Sequence, residues 1–167
     1  MSEKSGAGFP LGILAVVGVA LVGGAIVVGL AVVAIVGVLA AIAIPNFVVM
    51  QLKAKRSEVP GYVDGLKTAE LAYDAAFDTY VPVGSRAAAE EQIRWNGKEP
   101  RAWDGGGEWE TLGWSPDGMS RGAYWVEVEG HSFTVHGLCD VDGDGDFAEY
   151  VATERENARM VTGPNTY

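Results

Sequence analysis

The sequence predicts an α+β fold: a long N-terminal membrane helix that continues into an amphipathic helix packed on an antiparallel β-meander. Three observations point there. Forty-two residues from Phe9 to Met50 carry no charge. Apolar side chains then recur at three-to-four spacing between Val59 and Tyr80, the period of a half-buried helix. The C-terminal half holds alternating segments separated by Gly- and Asp-rich turns. A helix followed by a meander places the sheet on that helix. The divisions expected are a polar N-terminus over 1–8, an apolar transmembrane helix over 9–50, and a globular domain over 51–167. That domain divides into an amphipathic helix at 51–80, a variable loop at 81–113 and a β-meander at 114–163.

As a helix, the charge-free run would reach roughly 63 Å, twice the roughly 30 Å hydrocarbon core of a bilayer. Either a hairpin breaks it near Gly23 and Gly24, or one long helix has its surplus covered by other protein. A retained segment is expected rather than a removable signal, because the apolar part far exceeds an h-region of roughly 7–15 residues. Val and Ile dominate it, yet in lipid a helix is the single-segment structure that satisfies every backbone group. Small residues stand four apart at Ala20 and Gly24, Ala25 and Gly29, and Gly37 and Ala41, a spacing that lets two helices approach closely. Pro45 removes a backbone donor, so a kink or local unwinding is expected there.

Past that point Val59, Val63, Leu66, Tyr73, Ala76, Phe77 and Tyr80 form the apolar stripe, with Asp64, Lys67, Glu70, Asp74 and Asp78 largely on other faces. Pro60 bends or restarts the helix, with Ser57 as a nearby cap. The strands expected are "GAYWVEVEG", "HSFTVHGLC" after a tight turn at Gly130, "FAEYVAT", and a weaker "ARMVTG".

Charge excludes one class of partner. From Ser57 to Tyr167 there are 21 acidic and 8 basic residues, a net charge of about −13, which is unsuited to nucleic acid. The remaining positive charge gathers at Lys53, Lys55 and Arg56, beside the apolar run. By the positive-inside rule alone that cluster would be cytoplasmic. The lone Cys139 excludes an internal disulfide.

Two stretches invite a ligand. "DVDGDGDFAEYV" sets Asp140, Asp142, Asp144 and Asp146 at alternate positions around glycines, like the first half of an EF-hand calcium loop. Its twelfth position is Val151, so the alternative is an Asp-Gly turn with its charges left to solvent. Trp95, Trp103, Trp109 and Trp114 cluster between helix and meander, and with Trp125 are all the tryptophans of the chain. They serve either as core for a small domain or as a surface for a glycan or protein partner. No catalytic constellation is visible: His131 and His136 do not share a strand face, Asp140 would raise the pKa of Cys139, and Glu90 and Glu91 lie in a polar stretch. "DGGGE" is too acidic to cradle phosphate. The chain is not expected to be an enzyme, and no cofactor beyond calcium is suggested.

"VVAIVGVLAAIAIPNF", then "KAKRSE" and "LKTAELAYDAAFDTY", resemble the N-terminal helix of type IV pilins and of the pseudopilins of type II secretion. "LGWSPDGMSRGAYWVEVEG", "FTV" and "CDVDGDGDFAEYV" are similar to the pilin β-meander; the likeness spans residues 24–163 and is strongest over 32–80. The resemblance implies a single-pass inner-membrane subunit with its N-terminus inside and its globular domain periplasmic or extracellular. Its apolar helix would serve first as anchor and then as the interface with other pilin-like subunits in a pilus or pseudopilus, with Gly24, Gly29, Gly37, Ala41 and Pro45 shaping the helix packing. The sequence departs from the family in two places. Aligning Pro45 with the family's helix proline puts leader cleavage between Gly23 and Gly24, where an apolar stretch stands in place of a short basic leader. A cut between Gly8 and Phe9 has Lys4 upstream but Pro10 next to it. The glutamate that the family carries near the start of the mature helix is Val28 here. A permanently anchored accessory or binding protein of the same fold is the alternative.

Overall fold

The computed structural model describes residues 11–96 and 98–167. The polar N-terminus expected over 1–8 and the Gly8–Phe9 junction lie outside the described residues. The chain divides into two compact units, residues 1–48 and 49–167.

Helix α1 runs without interruption over Leu11–Arg56. The hairpin considered at Gly23 and Gly24 is therefore not formed, and the helix also continues through Pro45 without unwinding. From Gly12 to Met50 every described residue except the half-buried Ala40 is exposed, as a stretch that must find its cover in lipid or in other protein. This is one helix long and apolar enough to cross a membrane.

In the second unit, α2 spans Glu58–Phe77. The break falls at Ser57 because Pro60 has no N–H to give the Arg56 carbonyl and crowds it. Ser57 is not the cap its position suggested: its backbone is helical and its hydroxyl donates back to the Ala54 carbonyl at 2.7 Å. At the other end Asp78 takes a left-handed conformation and donates its N–H to Asp74.

The buried face of α2 consists of Val59, Val63, Leu66, Lys67 and Glu70. The apolar stripe thus holds for three turns and then departs from expectation: Ala76 and Phe77 are exposed, while two charged residues are buried. Helical geometry puts positions 67 and 70 on the face of 59, 63 and 66 whatever their polarity. Each finds at least one partner there, although Glu70 Oε1 has none. Lys67 Nζ donates to the Glu156 carbonyl and Asn157 Oδ1, and Glu70 Oε2 accepts from the Val81 N–H.

The sheet is an antiparallel meander, β3 (Ala123–Glu129), β4 (Ser132–Cys139), β5 (Ala148–Thr153) and β6 (Arg159–Met160), in sequence order. Glu129 pairs with Ser132 across a two-residue turn whose first member, Gly130, has φ +60°, as a tight hairpin requires. Tyr124, Val126, Phe133, Val135, Tyr150 and Ala152 face α2. At Gly137 the helix comes so near that a Cβ would stand 2.6 Å from Val63 Cγ2 and 2.9 Å from Val59 Cγ1.

The segment 81–113, expected as a loop, contains α3 (Arg86–Asn96), β1 (Arg101–Ala102) and α4 (Glu108–Leu112), with β1 pairing β2 (Met119–Ser120). Ser85 caps α3, its hydroxyl accepting from the Ala88 N–H. Ala89 and Ile93 pack on Ala123, Trp125 and Leu138, so α3 covers the sheet face opposite α2. The sheet is accordingly enclosed by two helices rather than one.

Candidate functional site

Three regions draw together the residues singled out above. On α1, a Cβ added at Gly24, Gly29 or Gly37 would meet nothing within 4 Å. With Ala41 they leave shallow places on an exposed apolar surface, which is what close helix approach needs.

The acidic turn follows β4. The carboxylates of Asp140, Asp142 and Asp144 can each place an oxygen within 4.8 Å of the others, whereas Asp146 is not part of that group. Asp140 is buried and already engaged: its two oxygens accept from the N–H groups of Gly143 (2.7 Å) and Gly145 (3.1 Å), both at positive φ. Asp144 accepts from the Asp146 N–H. Asp142 Oδ1 has no partner, and burial, then the neighbouring Asp144, push its pKa up. The Asp-Gly turn is thus built by its own hydrogen bonds, with three carboxylates left converging.

The tryptophans separate by role. Trp125 is fully buried; Trp103, Trp109 and Trp114 are half-buried and stand edge-on or tilted at 4.9–5.5 Å from one another. Trp114 also meets Tyr62 and Tyr124 edge to face. These rings close one end of the core, and Trp95 stays 89 % exposed. Beside them lies a cavity of about 590 Å³ walled by Trp95, Trp103, Trp109, Tyr124, Gln92 and Arg101. Burial lowers the pKa of Arg101; its Nη2 donates to Gln92 Oε1 and the Gly122 carbonyl, while Nε and Nη1 lack partners. Nothing in the sequence pattern marked Arg101 except its neighbouring tryptophan.

His136 stacks on Trp125 at 4.5 Å, and its Nδ1 stands 3.1 Å from Glu149 Oε1. Arg86 grips Glu149 with two bonds of 3.0 and 2.9 Å. Burial alone would raise the Glu149 pKa, but these donors hold it below the usual carboxylate range. The group ties α3 to the sheet. His131 is exposed, and Cys139 is buried, its thiol pushed up to about 12 chiefly by burial, with Asp140 a lesser contributor.

Of the basic cluster, Lys53 and Lys55 are exposed. Arg56 is buried, donating to the carbonyls of Pro164 and Thr166 with its guanidinium over the Tyr167 ring. Glu70, absent from the sequence reading as a special residue, has its pKa raised to about 7 by burial despite the Val81 hydrogen bond.

The long apolar helix and the antiparallel sheet are compatible with a pilin-like α+β fold. No family model, no curated protein and no solved structure matches this chain.

Proposed function

We propose that this protein is a pilin-like structural subunit of a pilus or type II secretion pseudopilus, anchored in the inner membrane by α1 and assembling through it. The observation that carries the proposal is the uninterrupted exposed apolar surface of α1, about twice as long as one crossing requires. Its surplus fits a helix that exchanges lipid for neighbouring helices, an exchange of low cost because lipid tails are as apolar as Leu and Val side chains. The small residues at 24, 29, 37 and 41 supply the approach. The globular domain would sit on the periplasmic or extracellular side.

The position equivalent to the family glutamate is Val28, so registration between subunits would rest on shape alone. Single cysteines at Gly29 and Gly37 in a Cys139→Ser background test this. Disulfide-linked dimers should form in the native membrane through both positions, and a Gly29→Leu, Gly37→Leu pair placed on the same helix should abolish assembly. Monomers at every position would contradict the proposal.

A second reading keeps the chain permanently anchored as an accessory protein that presents its acidic domain. The convergence of Asp140, Asp142 and Asp144 favours it, since an oxygen-seeking cation such as calcium would relieve their repulsion. Calcium would then raise the midpoint of thermal unfolding in wild type and not in Asp142→Asn.

A further inference from the structure

We infer that the cavity between α3, β1 and the tryptophan cluster is a binding site for a neutral pyranose saccharide, with Trp95 as an exposed stacking platform. The cavity volume, about 590 Å³, falls within the roughly 300–1,000 Å³ of small-molecule sites. Its walls are of two kinds. Indole and phenol rings from Trp95, Trp103, Trp109 and Tyr124 present flat apolar faces, while Gln92, Asn96 and Arg101 present amide and guanidinium groups. A sugar ring has the matching duality: C–H faces that lie on aromatic rings, and an equator of hydroxyls that both donate and accept.

Two further observations single out this cavity. Trp95 is 89 % exposed at the end of α3 and lines it, although every other tryptophan of the domain is at least half-buried. Arg101 and Trp103 line the wall, and Arg101 Nε and Nη1 and Trp103 Nε1 are buried just behind it without partners, so unsatisfied donors gather at this wall. Leaving such donors unsatisfied is costly.

Charge selects among ligands. The wall contains one guanidinium against the carboxylates of Glu91 and Asp104, so its formal charge is negative. The domain around it is strongly acidic. An anionic ligand would be repelled at distance and uncompensated on arrival, whereas a neutral hydroxyl-rich one can use both the acids and the arginine. The site lies wholly in the second unit and does not depend on assembly through α1.

The test is isothermal titration calorimetry of the full chain in a detergent without a sugar headgroup, with maltotriose and tri-N-acetylchitotriose as neutral probes and trigalacturonic acid as the anionic one. Binding of at least one neutral probe, weakened about tenfold or more by Trp95→Ala, is the expected result. Trp95→Phe, which keeps an aromatic face, should restore most of it. Because Trp95 is exposed, its replacement leaves the core intact. No heat from either neutral probe at about 10 mM, tighter binding of trigalacturonic acid, or unchanged affinity in Trp95→Ala would each overturn the inference.

Discussion

At the scale of single residues, the most consequential side chains are polar ones that the fold buries. Glu70 has no exposed surface, and burial raises its folded-state pKa to about 7 from the ordinary carboxyl value of 4.5. Between those two values the folded protein holds a proton that the unfolded chain has lost. Stability from this group is fully present below about pH 4.5 and is lost as pH rises to about 7. Glu70→Gln should flatten that dependence and be the more stable protein at pH 8, by on the order of 2 kcal/mol. Thermal unfolding of both proteins across pH 5–8 checks it, and parallel curves would count against a buried, protonated Glu70. Asp140 is the converse case, a carboxylate that organises two backbone N–H groups. Asp140→Ala should cost about 1–3 kcal/mol in urea unfolding, by leaving those donors unpaired.

At the scale of elements, α2 and α3 hold the sheet from its two faces by different means. The α2 contact depends on the absence of a side chain at Gly137. Gly137→Ala should destabilise by about 1–3 kcal/mol, because Val59 and Val63 must move with the helix that carries them. The α3 contact depends on Arg86. Arg86→Ala leaves Glu149 without its two-bond partner, and should cost about 1–2 kcal/mol, discounted because Arg86 is half exposed. These elements were unequally legible in the sequence. The apolar helix, the first turns of α2 and the strands of the meander follow from hydrophobic period, since apolar burial is the dominant driving force. Helix α3 was hidden because it buries only Ala89 and Ile93. Its signals were local: Ser85 at the cap and Arg86, Glu90 and Arg94 at four-residue spacing. The end of the α2 stripe misled because Phe77 is apolar yet exposed, and Lys67 and Glu70 are charged yet buried. The Asp-Gly turn was readable from composition. The cavity was not, since Gln92, Arg101 and Tyr124 meet only through the packing of α3 against the sheet and the β1–β2 pair.

At the scale of the whole molecule, an acidic α+β domain and a helix that is charge-free as far as Met50 share one chain, and the proposed role needs both. The domain carries a strong net negative charge, while α1 is the surface that demands lipid or protein around it. The Val28 position makes assembly through helix shape the claim most exposed to test. The direct measurement is the amount, intact mass and N-terminal sequence of the protein in sheared surface material and in the native membrane. The account predicts that the protein is recovered in the sheared fraction as high-molecular-weight assemblies. Protein found exclusively as monomer in the membrane fraction would contradict assembly and leave a permanently anchored accessory protein.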